Sequence, residues 1–150
     1  MAISQAMCTS FKVEILDGIH AFGTTVVRAA TTADTFKIAL YTSSATLDST
    51  TTAYTTSNEV PSTGGYSAGG NTLTISQAPT STSTTAWLDF ADSTWSAATI
   101  TANGALIYNS SQSDKAVAVL AFGGDKTSTA GDFTIVFPAA NSTSAIIRIA

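Results

Sequence analysis

The chain has 150 residues, of which 11% are charged, with a net charge of −4, one His and one Cys, while Ser and Thr together supply nearly a third. A chain of this length forms one domain that buries roughly two-thirds of its unfolded surface, and its six basic residues, Lys12, Arg28, Lys37, Lys115, Lys126 and Arg148, lie far apart, which argues against nucleic acid as a partner because phosphate binding needs clustered cations. The longest apolar run, Ala116 to Phe122, is far short of the roughly 20 residues that cross a bilayer, so no membrane partner is expected.

Residues 1–9 lack the basic and apolar regions of a secretory signal, which points to folding in a cytoplasm. They are expected to form an arm, with Ile3 and Met7 available to dock on a partner. A single domain is expected over residues 10–150. Within it, Phe11, Ile15, Ile19 and Phe22 recur at helical spacing and predict one amphipathic helix over Ser10 to Phe22. Ser10 is the expected N-cap and Gly23 the expected stop. Glu14, Asp17 and His20 fall off the apolar face, so His20 is expected to be exposed. Gly18 inside the helix costs about 1 kcal/mol relative to Ala, so the helix needs a surface to pack on.

From Thr35 the apolar period changes to two. Strands are predicted near residues 35–42, 71–77, 85–91, 96–101, 105–109, 116–122, 132–137 and 145–149. The fold expected is mainly β: an antiparallel, jelly-roll-like β-sandwich of about eight strands with one N-terminal helix. Asn103-Gly104 is read as a hairpin turn between two of these strands, because both residues tolerate positive φ. Residues 43–70 form a long polar connection in which Tyr54, Val60 and Tyr66 are isolated anchors; a loop of that length is usually functional or carries an element of its own. Thr80 to Thr85 is read as an exposed Ser/Thr loop. In β-alternation Trp87 and Asp89 fall on the face opposite Leu88 and Phe90, which makes Trp87 a candidate contact on the outer face. The run Ala116 to Phe122 is apolar on both faces; the second cover is either the Ser10 to Phe22 helix or a neighbouring subunit, and some of this surface, at Val119, is expected to be sealed by self-association or docking.

Catalytic chemistry is hard to assemble from these residues. A Ser or Cys nucleophile would have to share the one imidazole, His20, and no Ser sits in a Gly-x-Ser-x-Gly elbow. One Cys and one His supply half of a tetrahedral zinc site. Asp89 with Asp92, or Asp125 with Asp132, are the carboxylate pairs that could support glycoside hydrolysis, and Asp125 or Asp132 the candidates for calcium. The expectation is no catalytic residue, no cofactor and no metal. Asn109-Ser110-Ser111 and Asn141-Ser142-Thr143 match the glycosylation pattern, which is common by chance in so hydroxyl-rich a chain.

Several segments together have a recognisable look: Phe36-Lys37-Ile38-Ala39-Leu40-Tyr41-Thr42-Ser43, Asn58-Glu59-Val60, Gly65-Tyr66-Ser67-Ala68-Gly69-Gly70, Asp89-Phe90-Ala91-Asp92, Gly104-Ala105-Leu106-Ile107-Tyr108-Asn109, Phe122-Gly123, Gly131-Asp132-Phe133-Thr134 and Ala145-Ile146-Ile147-Arg148-Ile149. This pattern resembles small virion proteins of tailed bacteriophages over roughly residues 10–150; Thr24 to Thr32 has no counterpart in it. The resemblance implies a non-enzymatic capsid cement or decoration protein, located in the virion, that clamps neighbouring major capsid subunits or contacts another virion protein and acts as a homo-oligomer. The expected contact residues are Ile3, Met7, Tyr54, Tyr66, Trp87 and Val119. The alternative from another class is a receptor- or glycan-binding tail, fibre or neck module, which exposed rings at Trp87 or Tyr66 would favour.

Overall fold

The computed structural model describes residues 2–16, 18–24 and 33–150, with the side chains of residues 12–14 and 16 left aside. The expected placements of Glu14, Asp17 and Arg28, and most of the Thr24 to Thr32 connection, lie outside that set. Among the described residues there are eight strands and one helix: β1 (Ala6–Met7), α1 (Thr9–Leu16), β2 (Phe36–Tyr41), β3 (Asn71–Thr72), β4 (Ile75–Thr82), β5 (Thr85–Phe90), β6 (Ser93–Asn109), β7 (Lys115–Ile135) and β8 (Ile147–Ile149). They form two antiparallel sheets, one of five strands in the order β1-β7-β6-β2-β3 and one of three in the order β4-β5-β8. The result is an open, sandwich-like arrangement, as the alternating apolar runs require.

Aromatic rings join the two layers. Phe36 of the first sheet and Phe90 of the second have ring centroids 6.1 Å apart, Phe22 stacks on Phe36 at 4.2 Å, and Phe137 closes on Phe90 at 5.8 Å. Leu88 and Ile147 fill the same layer from the three-stranded sheet.

The predicted helix ends early. α1 stops at Leu16, Gly18 takes φ +70°, and its amide donates to the Ile15 carbonyl at 3.2 Å; the residue that would have cost stability inside a helix is used to terminate it. Ser10 lies within the first turn, with a buried hydroxyl that has no partner among the described residues, so it is no N-cap. Phe22 still reaches Phe11, edge to face at 6.0 Å, through an irregular segment. Residues 2–9 are likewise tied down rather than forming a loose arm. Ala6 and Met7 pair with Val119 and Ala118, and Ile3 bridges to Leu47.

Four of the predicted strands merge into two. Residues 96–101 and 105–109 belong to one strand, β6, and residues 116–122 and 132–137 fall on β7 and its continuation, the two pairing from Ser93↔Ile135 to Asn109↔Lys115. Asn103-Gly104 is not a turn: Gly104 faces Ala121 across the ladder beside a bulge, and a Cβ there would sit 2.6 Å from the Leu120 carbonyl oxygen and 2.7 Å from the Ile3 side chain. The glycine serves close approach, which reads the same as a turn glycine in sequence. The turn of this hairpin is residues 110–114, where Ser113 and Asp114 take φ 53° and 56°. The Ser/Thr tract over Thr80 to Thr85 is the tip of a second hairpin, reduced to Ser83 and Thr84 between β4 and β5.

The long β6–β7 ribbon is sharply bent. Phe122 and Phe133 belong to one strand, yet their ring centroids are 6.4 Å apart, where a straight strand would separate them by about 36 Å. Gly123 and Gly124 at φ 72° and 143°, with Ala97 and Ala130 at 50° and 48°, mark the irregularities at which the ribbon turns.

Candidate functional site

The connection over residues 43–70 is where polar chemistry converges. β2 ends at Tyr41 and the chain returns along it: Val60 N donates to the Leu40 carbonyl at 2.9 Å, and Thr42 N to the Asn58 carbonyl at 3.0 Å. This places Glu59 against the sheet, where it is buried. Its carboxylate accepts from Tyr54 Oη at 2.7 Å, Tyr66 Oη at 2.6 Å and Gly69 N at 2.7 Å. Tyr66 Oη in turn accepts from Leu40 N at 3.0 Å. Tyr108 donates to the Gly69 carbonyl at 2.8 Å and stacks on Tyr54 at 4.6 Å, while Tyr41 donates to the Thr55 carbonyl at 2.6 Å. All four tyrosines of the chain thus surround one acid.

The electrostatics follow from burial. Desolvation pushes the Tyr108 hydroxyl up to about 12 and raises Tyr41, Tyr54 and Tyr66 further, and the hydrogen bonds that Tyr54 and Tyr66 give to Glu59 add to the rise because they hold the neutral phenol. The cluster is a fastener. It pins the loop from Tyr54 to Gly69, and Gly64 and Gly65 press part of that stretch on Ala98 and Thr99 of β6, with Thr99 N donating to the Gly64 carbonyl at 2.7 Å. Residues 61–65, 67 and 68 are left facing solvent.

A second polar cluster closes the opposite end of β2. His20 is buried, contrary to its expected exposure, edge-on to Phe11 at 4.9 Å. Asn109 Nδ2 lies 3.1 Å from His20 Nδ1 and donates to Asp34 Oδ2 at 2.8 Å; Gln112 reaches Asp34 Oδ1 at 3.1 Å. Asn109 is fully buried and therefore unsuited to glycosylation. Cys8, in the core, is fully buried as well.

The carboxylate pairs do not converge on a cleft. Asp89 is buried and desolvation raises its pKa, with Asp92 a lesser contributor. Asp92 itself is exposed and accepts from Phe137 N at 2.8 Å. Asp125 takes a hydrogen bond from Asn103 and Asp132 one from Ala97 N. Among the described residues no three of His, Cys, Asp and Glu lie close enough together to hold a metal ion.

The expected contact residues divide clearly. Val119 is fully buried within the single chain, so its cover does not require a second copy or a partner. Tyr66 is buried and Tyr54 half-buried in the Glu59 cluster, and Ile3 and Met7 pack against the core. Trp87 is half-covered, with Nε1 3.3 Å from Thr82 Oγ1, and lines a shallow groove beside His20, Phe22 and Ile149. The surface that sequence reasoning missed is the concave side of the bent ribbon, where Val136 is 72% exposed; its alternation gave no sign that β7 curls. No protein-family model, curated protein or solved structure matches the chain.

Proposed function

We propose that the chain is a non-enzymatic structural component of a bacteriophage virion, a capsid cement or decoration protein that stabilises the shell by contacting the major capsid protein. The observation that supports this reading best is the fastened loop over residues 43–70. A connection of that length, held from Tyr54 to Gly69 by the buried Glu59 and its tyrosines, presents a hydroxyl-rich surface whose ordering cost has been met on folding, so docking forfeits little entropy. Repetition over a symmetric shell multiplies a modest interface of this kind. The low charge of the chain limits repulsion between closely spaced copies.

The test is to add purified chain to expanded shells that lack decoration and to image the particles. Saturable, symmetric occupancy of the shell and a higher shell melting temperature are expected. Density confined to tail, fibre or neck would favour the receptor-binding alternative and overturn the cement role.

A further inference from the structure

The bent ribbon leaves a surface that the fold does not use. Beyond Ala121, β7 has β6 on one side, and among the described residues its other edge is covered only before that point, by β1 at Ala118 and Val119 and by Thr52, Ala53 and Cys8 from Lys115 to Val117. Bulges at Gly123, Gly124 and Ala130 make this edge a poor template for adding a strand. The curl instead encloses an open groove of about 470 Å³. Its apolar lining comes from Phe122, Phe133 and Ile135, its rim carries Lys126 and Asp132, and Val136 stands beside it as the most exposed large apolar side chain among the described residues.

We infer that this concave face is an isologous interface between two copies of the chain, each placing Val136 in the other's groove and pairing Lys126 with Asp132 of its mate. The patch is self-complementary. A twofold axis brings each feature of a patch against a different feature of the same patch, and this patch holds an apolar projection beside an apolar hollow and a cation beside an anion. The Lys126 ammonium has no ion pair or hydrogen bond among the described residues, while Asp132 spends one oxygen on Ala97 N at 3.2 Å and keeps a second for a partner. Opposite charges in reciprocal positions fix register and reject parallel stacking of copies. The surface is separate from the loop over residues 43–70 and stands whether or not the chain binds a shell.

Sedimentation of the purified chain over a wide concentration range reads the interface directly. A reversible dimer is expected, and Val136→Asp should weaken it at least about tenfold without changing the circular dichroism, since the side chain is exposed. Lys126→Glu and Asp132→Lys should each weaken the homodimer, because both reciprocal pairs become repulsive. Mixed together, these two variants should form a heterodimer close to the parent in affinity, because both pairs become attractive again. A chain that stays monomeric at the highest concentration, a V136D dimer as tight as the parent, or variants that fail to rescue one another would overturn the proposal.

Discussion

Glu59 is the residue on which the long connection depends. Removing its carboxylate strands the buried Tyr66 phenol, the half-buried Tyr54 phenol and the Gly69 amide, and a buried donor left without an acceptor costs far more than the net gain from making the bond. Glu59→Ala is expected to lower stability by about 2–4 kcal/mol in urea unfolding, and Glu59→Gln, which keeps one acceptor oxygen, by roughly half of that. Gly70 is equally constrained. It holds φ +67°, and a Cβ there would run into the Ile38 carbonyl, so Gly70→Ala should cost at least about 2 kcal/mol by the same measurement. Gly104→Ala should disturb both neighbours of the new methyl, the Leu120 carbonyl in the β6–β7 ladder and Ile3 beside β1; faster hydrogen exchange at Ala105, Ala6 and Met7 than in the parent is the expected sign.

At the scale of elements, the strands were legible and their continuity was not. Phe36 to Tyr41 and Thr85 to Phe90 form where their apolar runs put them, although Ile38 to Tyr41 and Leu88 to Phe90 are buried on both faces. Gly104 and Gly123-Gly124 break the pattern as turn residues would, and sequence holds no cue to distinguish a bulge inside a paired strand from a reversal. The helix was overextended for the converse reason: Ile19 and Phe22 keep helical spacing although Gly18 ends the helix, because an irregular segment can deliver Phe22 to Phe11 equally well. The Glu59 cluster was half visible. Tyr54 and Tyr66 stood out as anchors, but the acid that unites them with Tyr41 and Tyr108 is surrounded by polar residues and has no spacing to give it away.

The four tyrosines set the alkaline limit of the whole molecule. Their folded pKa values lie above the ordinary value of 10.0, so the folded state holds the neutral phenols and the unfolded state releases protons first. This stabilisation is fully present below pH 10 and is lost as pH rises from there through about 12, where Tyr108 titrates. Phenolate absorbance should therefore appear in one cooperative step coincident with loss of circular dichroism, rather than as a gradual titration of an intact fold. At the other end of the chain, deletion of residues 2–7 removes β1 and the packing of Ile3 and Met7 on the core. A loss of about 2–4 kcal/mol is expected in urea unfolding, in contrast to the harmless truncation of a loose arm.

The β6–β7 hairpin also sets an order of events for folding. Its tightest pairs, Asn109↔Lys115 and Tyr108↔Ala116, close a short loop, and each further pair up to Ser93↔Ile135 extends a contact already made, so the ribbon can zip outward with little added loop-closure entropy. Pairing Phe36 with Asn109 spans more than seventy positions and gains from waiting until the ribbon exists to receive it. A chain dominated by β pairing, a class that folds slowly, thus carries a local nucleus at residues 110–114, and substitutions that disfavour positive φ at Ser113 or Asp114 should slow refolding more than they speed unfolding.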